Sequence, residues 1–147
     1  IRAYRKRNYE GGNSFMTEEL KNYIAQWLTK AEEDLFVVNK LTTDEIIATS
    51  TICFHCQQAA EKYLKAFLIY YGKDIVKTHN IEFLLEECSN IDEVFRIIDP
   101  KNLTDFGVDI RYPDDFYIPT IDEVKEYKAI ATEIKNIVKN KIKNILL

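Results

Sequence analysis

Turn-forming residues are scarce in this chain, which has only four glycines and three prolines among its 147 residues. Folds built from many short strands need a turn at each chain reversal, and glycine and proline supply most such turns. Hydrophobic residues make up 46% of the chain and charged residues 30%, which is ordinary for a folded protein. The composition therefore favours a helical fold, and the length suits one domain with a single core.

Apolar residues recur at helical spacing along most of the chain. A first helix is predicted over 17–41, and a second over 44–71 with Thr43 or Asp44 as its N-cap and Gly72 beyond its end. Further helical segments are predicted over 81–88, within 90–98, from Pro100, and from Thr120 or Asp122 to about 143. Amphipathic helices with short connections predict an all-α fold, an antiparallel up-and-down bundle of four to five helices.

Charge divides the chain into two unequal parts. Residues 1–15 hold four basic residues and one glutamate, and are predicted to be a basic arm or a leader that precedes a helical domain over 16–147. The chain carries −4 overall, so residues 16–147 carry −7. An acidic body argues against sequence-blind binding of duplex nucleic acid, which relies on a basic surface.

Hydropathy and cysteine usage indicate a cytoplasmic protein. No apolar run approaches the roughly 20 residues that span a bilayer, and no secretory signal is recognisable, so no membrane association is expected. Cys53, Cys56 and Cys88 are an odd number of cysteines. Cys53 and Cys56 have CxxC spacing but lie in a helical pattern, so buried, reduced thiols are expected.

One stretch, FHCQQAAEKYLKAFLIYYG at 54–72, combines polar and apolar residues unusually closely. His55, Gln58, Lys62 and Lys65 follow each other at spacings of three, four and three, which aligns them along one side of a helix. An imidazole, an amide and two ammonium groups could hold a phosphate, a base edge or an acidic partner. A solvated helix face, or a face packed on another helix, would show the same pattern.

The same stretch does not favour a metal or a nucleophile. His55 and Cys56 point about 100° apart on a helix, so they cannot readily share an ion. A cysteine–histidine nucleophilic pair lacks any supporting motif. We therefore predict no catalytic residue, no metal and no cofactor from these side chains.

Two other segments carry polar residues of interest. In KTHNIEFLL, His79 or Asn80 is predicted to cap the third helix, a structural role. In RYPDDFYIP, Arg111 either binds phosphate or pairs with an acidic side chain such as Asp34. Asp114 and Asp115 would then shape the edge of that site.

Three of these segments together resemble the HEPN domain family. They are FHCQQAAEKYLKAFLI, KTHNIEFLL and RYPDD, preceded by Trp27 and AEEDL at 31–35 in the first predicted helix. The resemblance covers about residues 20–140. It implies a helical bundle that is commonly a homodimer, is often paired with a minimal nucleotidyltransferase, and binds nucleotide or RNA. Many members belong to toxin–antitoxin pairs.

Ribonucleases of this family carry an arginine followed four to six residues later by a histidine. Neither Arg96 nor Arg111 is followed by histidine at that distance. We therefore expect a non-catalytic HEPN protein that binds nucleotide, RNA or a nucleotidyltransferase partner. The predicted ligand-binding residues are His55, Gln58, Lys62, Lys65, Arg111, Asp114 and Asp115. A ribonuclease toxin with a rearranged His55 or His79, or a module that binds only protein, are the alternatives.

Overall fold

The computed structural model describes residues 16–75, 77–107, 117–143 and 145. Four α-helices make up most of this part: α1 (Glu18–Leu41), α2 (Thr49–Tyr70), α3 (Ile81–Ser89) and α4 (Ile121–Lys141). Two 3₁₀ segments, Glu93–Ile97 and Leu103–Phe106, lie between α3 and α4. Within the described ranges there is no strand, and the predicted all-α bundle is confirmed. The predicted arm at 1–15 lies outside the described residues.

The N-terminus of α1 follows the sequence prediction. Thr17 is its N-cap, and the Thr17 Oγ1 accepts a hydrogen bond from the Leu20 amide at 3.1 Å. Glu18 and Glu19 occupy the first turn, where their negative charges interact favourably with the positive end of the helix dipole.

The predicted start of α2 is wrong by about five residues. The helix begins at Thr49 rather than 44, and its N-cap is Ala48, whose side chain makes no capping bond. Thr42 and Thr43 donate their hydroxyl protons backwards instead, to the carbonyl oxygens of Val38 and Asn39 at 2.8 and 2.7 Å. These threonines satisfy carbonyls at the end of α1 and lie too far before Thr49 to cap the next helix.

The C-terminus of α2 has the geometry that Gly72 predicted. Its amide donates to the Ile69 carbonyl, and the Lys73 amide donates to the Leu68 carbonyl at 2.9 Å. This pair of bonds is the Schellman arrangement, which places the residue after the C-cap in the left-handed region. Gly72 has φ 80°, which glycine adopts without a Cβ penalty.

The later helices also begin at the predicted capping residues. Asn80, not His79, caps α3, because its side-chain oxygen accepts from the Phe83 amide at 2.8 Å. Thr120 caps α4 in a capping box, in which the Glu123 side chain also accepts from the Thr120 amide. The segments within 90–98 and after Pro100 are 3₁₀ turns rather than α-helices.

Helix α2 is the centre of the fold and packs against α1, α3 and α4. Helix α1 is antiparallel to α2, since Trp27 lies beside Lys65 while Asp34 bonds to His55. It is also antiparallel to α4, since Glu32 pairs with Lys139 and Thr42 bonds to Lys128. All but a few side chains in the second half of α2 are buried, so this helix is largely enclosed by its neighbours.

The three cysteines are free and buried, as predicted. Burial raises the pKa of the Cys53 thiol to about 12 and also raises the pKa values of Cys56 and Cys88. Among the helices described, none has the length and apolar character needed to cross a bilayer.

Candidate functional site

The predicted polar line lies on α2, and the structure divides it between two carboxylates. His55 and Lys62 face α1 and bond to Asp34. Lys65 turns into the protein and bonds to Glu61 on its own helix. Gln58 donates to the neighbouring Gln57. His55, Gln58 and Lys62 therefore share a partly exposed face, whereas Lys65 lies in a buried environment.

The Asp34 cluster, formed by Asp34, His55 and Lys62, joins α1 to α2. The two oxygens of Asp34 lie 2.7 Å from His55 Nδ1 and 2.7 Å from Lys62 Nζ. An ionised carboxylate can only accept, so the His55 ring nitrogen is the donor. The side chain of Asp34 is 10% exposed, whereas His55 and Lys62 keep about a quarter of theirs in solvent. A ligand could therefore reach the imidazole and the ammonium group, but not the carboxylate.

The Glu61 cluster, formed by Gln57, Glu61, Lys65 and His79, lies on the other side of α2. Glu61 Oε2 accepts from Lys65 Nζ at 2.8 Å, and Oε1 lies 2.8 Å from His79 Nδ1. Lys65 and Glu61 are both buried, while His79 is largely exposed. An ion pair in this environment is stable only because its remaining lone pairs are also hydrogen-bonded.

Gln57 is fully buried and makes further hydrogen bonds in this cluster. Its Nε2 donates to the His79 carbonyl at 2.8 Å and to Glu61 at 3.3 Å, and its Oε1 accepts from Gln58. Gly107 packs directly on this amide, since a Cβ there would lie 3.0 Å from Gln57 Nε2. The two glutamines thus fix the loop that enters α3 and the end of the second 3₁₀ segment.

Electrostatics keep Glu61 ionised despite its burial. Burial raises the pKa of a carboxyl group, but the hydrogen bonds from Lys65 and His79, the Lys65 charge and the Gln57 amide outweigh it. The pKa of Glu61 is consequently held below its ordinary value of 4.5. The cluster is therefore a pre-formed, charged element of the core.

An aromatic groove adjoins both clusters on the α1 side. Tyr23, Gln26, Trp27 and Lys30 of α1 line it together with Lys62 of α2, and its volume is about 240 Å³. We call this the tryptophan groove. The rings of Tyr23 and Trp27 meet edge to face, 6.4 Å apart and at 80°. Lys65 Nζ lies 5.7 Å from the centre of the Trp27 ring, a cation–π contact that links this groove to the Glu61 cluster.

The predicted residues therefore have three different outcomes. His55, Gln58 and Lys62 are partly exposed on one face of α2. Lys65 is buried, so its predicted contact with phosphate would require its ammonium group to leave Glu61. Arg111, Asp114 and Asp115 lie outside the described residues. Asp34 pairs with His55 and Lys62. Its predicted pairing with Arg111 stays a prediction.

Sequence reasoning gave too little weight to Gln57, Glu61 and Trp27. The spacing of four between Gln57, Glu61 and Lys65 was a usable signal, because such residues are neighbours on a helix. Nothing in the spacing indicates that this face is buried, because burial depends on the loop at 73–80 and on Gly107. Trp27 is predicted to be a core residue from its spacing in the apolar helical pattern alone.

Comparison with known proteins assigns the chain to a family. Residues 24–141 match the family model described as HEPN domain. The chain belongs to the HEPN family. The match spans α1 to α4 and includes the Asp34 cluster, the Glu61 cluster and most of the tryptophan groove. No curated protein matches the chain, and no solved structure does.

Membership gives the general class of function. HEPN domains are nucleotide- or RNA-related helical modules, and they often dimerise. The prediction of a HEPN bundle from FHCQQAAEKYLKAFLI and its companion segments is confirmed.

Proposed function

We propose that this protein is a non-catalytic HEPN domain that binds a nucleotide or single-stranded RNA at the exposed face of the Asp34 cluster. One observation carries the proposal: Asp34 holds an imidazole and an ammonium group side by side, and both remain partly exposed. Hydrogen-bond donors fixed by a buried carboxylate lose little freedom when they bind a ligand, which favours affinity.

The charges of the side chains suggest which part of the ligand each one would contact. Asp34 largely neutralises Lys62, so the cluster by itself attracts an anion only weakly. Arg111 is proposed to supply the additional positive charge for a phosphate, with Asp114 and Asp115 at the edge of the site. His55 and Gln58 would hydrogen-bond polar edges of the base or sugar. Lys65, which is buried against Glu61, supports the face from within unless ligand binding releases it.

Isothermal titration calorimetry with ATP, GTP and a short oligoribonucleotide tests this site. Lys62→Ala/Arg111→Ala is expected to weaken binding at least tenfold, because charge-assisted bonds to phosphate are lost. Lys73→Ala/Lys125→Ala removes the same charge from exposed positions and should bind like the wild type. Unchanged affinity in the first double variant would exclude the proposed phosphate contacts.

A protein partner belongs to the same proposal. We propose that the chain forms a homodimer and pairs with a minimal nucleotidyltransferase in a system of the toxin–antitoxin kind, on the basis of HEPN membership. Co-expression with candidate nucleotidyltransferases and recovery of a stoichiometric complex is the test. Failure to recover a complex with any candidate encoded beside this chain would count against the pairing.

One observation favours ribonuclease activity as a second candidate. His55 is oriented by a carboxylate, which is how many enzymes hold a general base. Cleavage of single-stranded RNA that is abolished in His55→Ala and retained in His79→Ala would support it. RNA left intact at high protein concentration would rule it out.

A further inference from the structure

We infer that the tryptophan groove is a nucleobase subsite, in which the base of a nucleotide or of single-stranded RNA lies against Tyr23 and Trp27. This inference rests on the proposed function and extends it, because it assigns the base to the groove and leaves the sugar to His55 and Gln58. A phosphate of the same ligand would face Lys30, in addition to the phosphate contact proposed for Arg111.

The groove combines three kinds of group along one stripe of α1. Tyr23, Gln26, Trp27 and Lys30 are spaced three, one and three residues apart, so they share one face of the helix. Aromatic rings provide a stacking surface for any base, and an amide can pair with a base edge. The lysine supplies a cation for phosphate, so each part of a nucleotide has a suitable partner.

The size of the groove indicates a base rather than a whole nucleotide. Its volume of about 240 Å³ is below the roughly 300–1,000 Å³ of pockets that enclose a drug-sized ligand. Only one ring system would be accommodated, with sugar and phosphate outside. Single-stranded nucleic acids are commonly bound in this way, through stacked bases and an exposed backbone.

The groove is also held in shape from behind. Lys65 is fixed by its bond to the buried Glu61 and lies against the ring of Trp27. On the opposite wall, Lys62 is fixed by Asp34. A rigid aromatic surface loses little entropy when a base stacks on it.

The charges around the groove decide where phosphate would bind. Lys62 is already bonded to the buried Asp34, and Lys65 to Glu61. Lys30 is two-thirds exposed and pairs with Glu33 at 3.5 Å, an exposed contact that contributes little and is easily exchanged for phosphate. Within the groove, Lys30 is therefore the cation available to a phosphate, in addition to the phosphate contact proposed for Arg111.

Trp27 is the only tryptophan in the chain, so its fluorescence reports directly on the groove. We would titrate the protein with AMP, adenosine, ribose 5-phosphate and a short oligoadenylate. AMP and the oligoadenylate are expected to quench the emission, adenosine to quench it more weakly, and ribose 5-phosphate to have no effect. Tighter binding of the oligoadenylate than of AMP would identify RNA as the source of the base. Tighter binding of AMP would identify a free nucleotide as its source.

Variants separate this subsite from the rest of the surface. Tyr23→Ala is expected to weaken AMP binding by roughly tenfold, within the range for one stacked base. Lys30→Ala is expected to weaken it because a charge-assisted bond to phosphate is lost. The pair Phe36 and Lys40 is a matched control, because Lys40 Nζ lies 5.5 Å from the Phe36 ring on the same helix. Phe36→Ala and Lys40→Ala should bind AMP like the wild type.

Two results would overturn the inference. If calorimetry detects nucleotide binding that depends on Lys62 and Arg111, while Trp27 emission and the Tyr23→Ala affinity stay unchanged, the base lies elsewhere and the proposed function stands. If Trp27 emission changes with protein concentration and not with AMP, the groove is covered by a second copy of the chain. Absence of nucleotide binding by both methods would reject the subsite and the proposed function together.

Discussion

Glu61 is a buried carboxylate that receives hydrogen bonds from three residues, Gln57, Lys65 and His79. Charged groups in such positions are costly when they lose a partner, because the charge that remains is cut off from water. At the scale of single residues, a substitution in this cluster is therefore expected to lower the stability of the fold strongly. The neighbouring Asp34 cluster uses the same chemistry nearer the surface.

Replacement of Lys65 by methionine should destabilise the protein by about 3–5 kcal/mol, because it leaves Glu61 buried without a cation. Urea unfolding at neutral pH measures this change. Lys30→Met is the control, since Lys30 makes only an exposed pair with Glu33, and its effect should stay within about 1 kcal/mol. Similar losses in the two variants would show that the buried pair has no special role.

The lowered pKa of Glu61 predicts a dependence of stability on acid. A group with a folded pKa below its ordinary value stabilises the fold fully above that ordinary value, here 4.5. This contribution disappears as pH falls through the lowered folded pKa. As the pH is lowered from roughly 5 to 2, the unfolding free energy of Glu61→Gln should therefore fall less steeply than that of the wild type. Parallel curves for the two proteins would contradict the assignment.

At the scale of whole elements, side-chain caps determine where α1, α3 and α4 begin. Thr120→Ala removes the capping bond to the Glu123 amide and should cost about 1 kcal/mol in the unfolding free energy. Thr29→Ala, at an exposed position inside α1, is the control and should be neutral or slightly stabilising. A neutral Thr120→Ala would show that tertiary packing alone defines the start of α4.

The burial of α2 and α3 predicts the behaviour of their thiols. Because burial raises the pKa of Cys53 to about 12 and also raises the pKa values of Cys56 and Cys88, almost none of these thiols is ionised at pH 8. A thiol reagent such as dithionitrobenzoate should label none of the three in the native protein and all of them in denaturant. Rapid labelling of one thiol under native conditions would show that α2 or α3 opens locally.

Local sequence rules succeeded where one residue determines a helix end. Thr17, Gly72, Asn80 and Thr120 have the predicted roles, because each of those side chains or backbone conformations acts on its own turn. The start of α2 was mispredicted because Thr43 could serve either helix end, and in the fold its hydroxyl donates to the Asn39 carbonyl of α1. The burial of Lys65 was missed because it depends on packing against other elements, such as Trp27 of α1.

At the scale of the whole molecule, the Asp34 cluster and the tryptophan groove lie at the α1–α2 interface, and the Glu61 cluster adjoins it through the contact between Lys65 and Trp27. Helix α2 is enclosed by α1, α3 and α4, so its polar residues must either pair internally or emerge at that interface. This arrangement explains why a helix rich in alanine and aromatic residues also contains His55, Gln58 and Lys62. The interface with α1 is therefore the surface that we assign to ligand.

The proposed homodimer gives a prediction at the same scale. Light scattering coupled to size-exclusion chromatography should give twice the 17.3 kDa mass of one chain at micromolar concentration. The mass of a single chain at every concentration tested would contradict it.

Photo-cross-linking locates the ligand most directly. An oligoribonucleotide that contains 4-thiouridine would be irradiated with the full-length protein, and the labelled peptides would be mapped by mass spectrometry. We predict adducts on α1 around Tyr23 and Trp27 and on α2 between His55 and Lys62, reduced by competing unlabelled RNA. Specific adducts confined to α4, or none at the α1–α2 interface, would contradict a ligand site there.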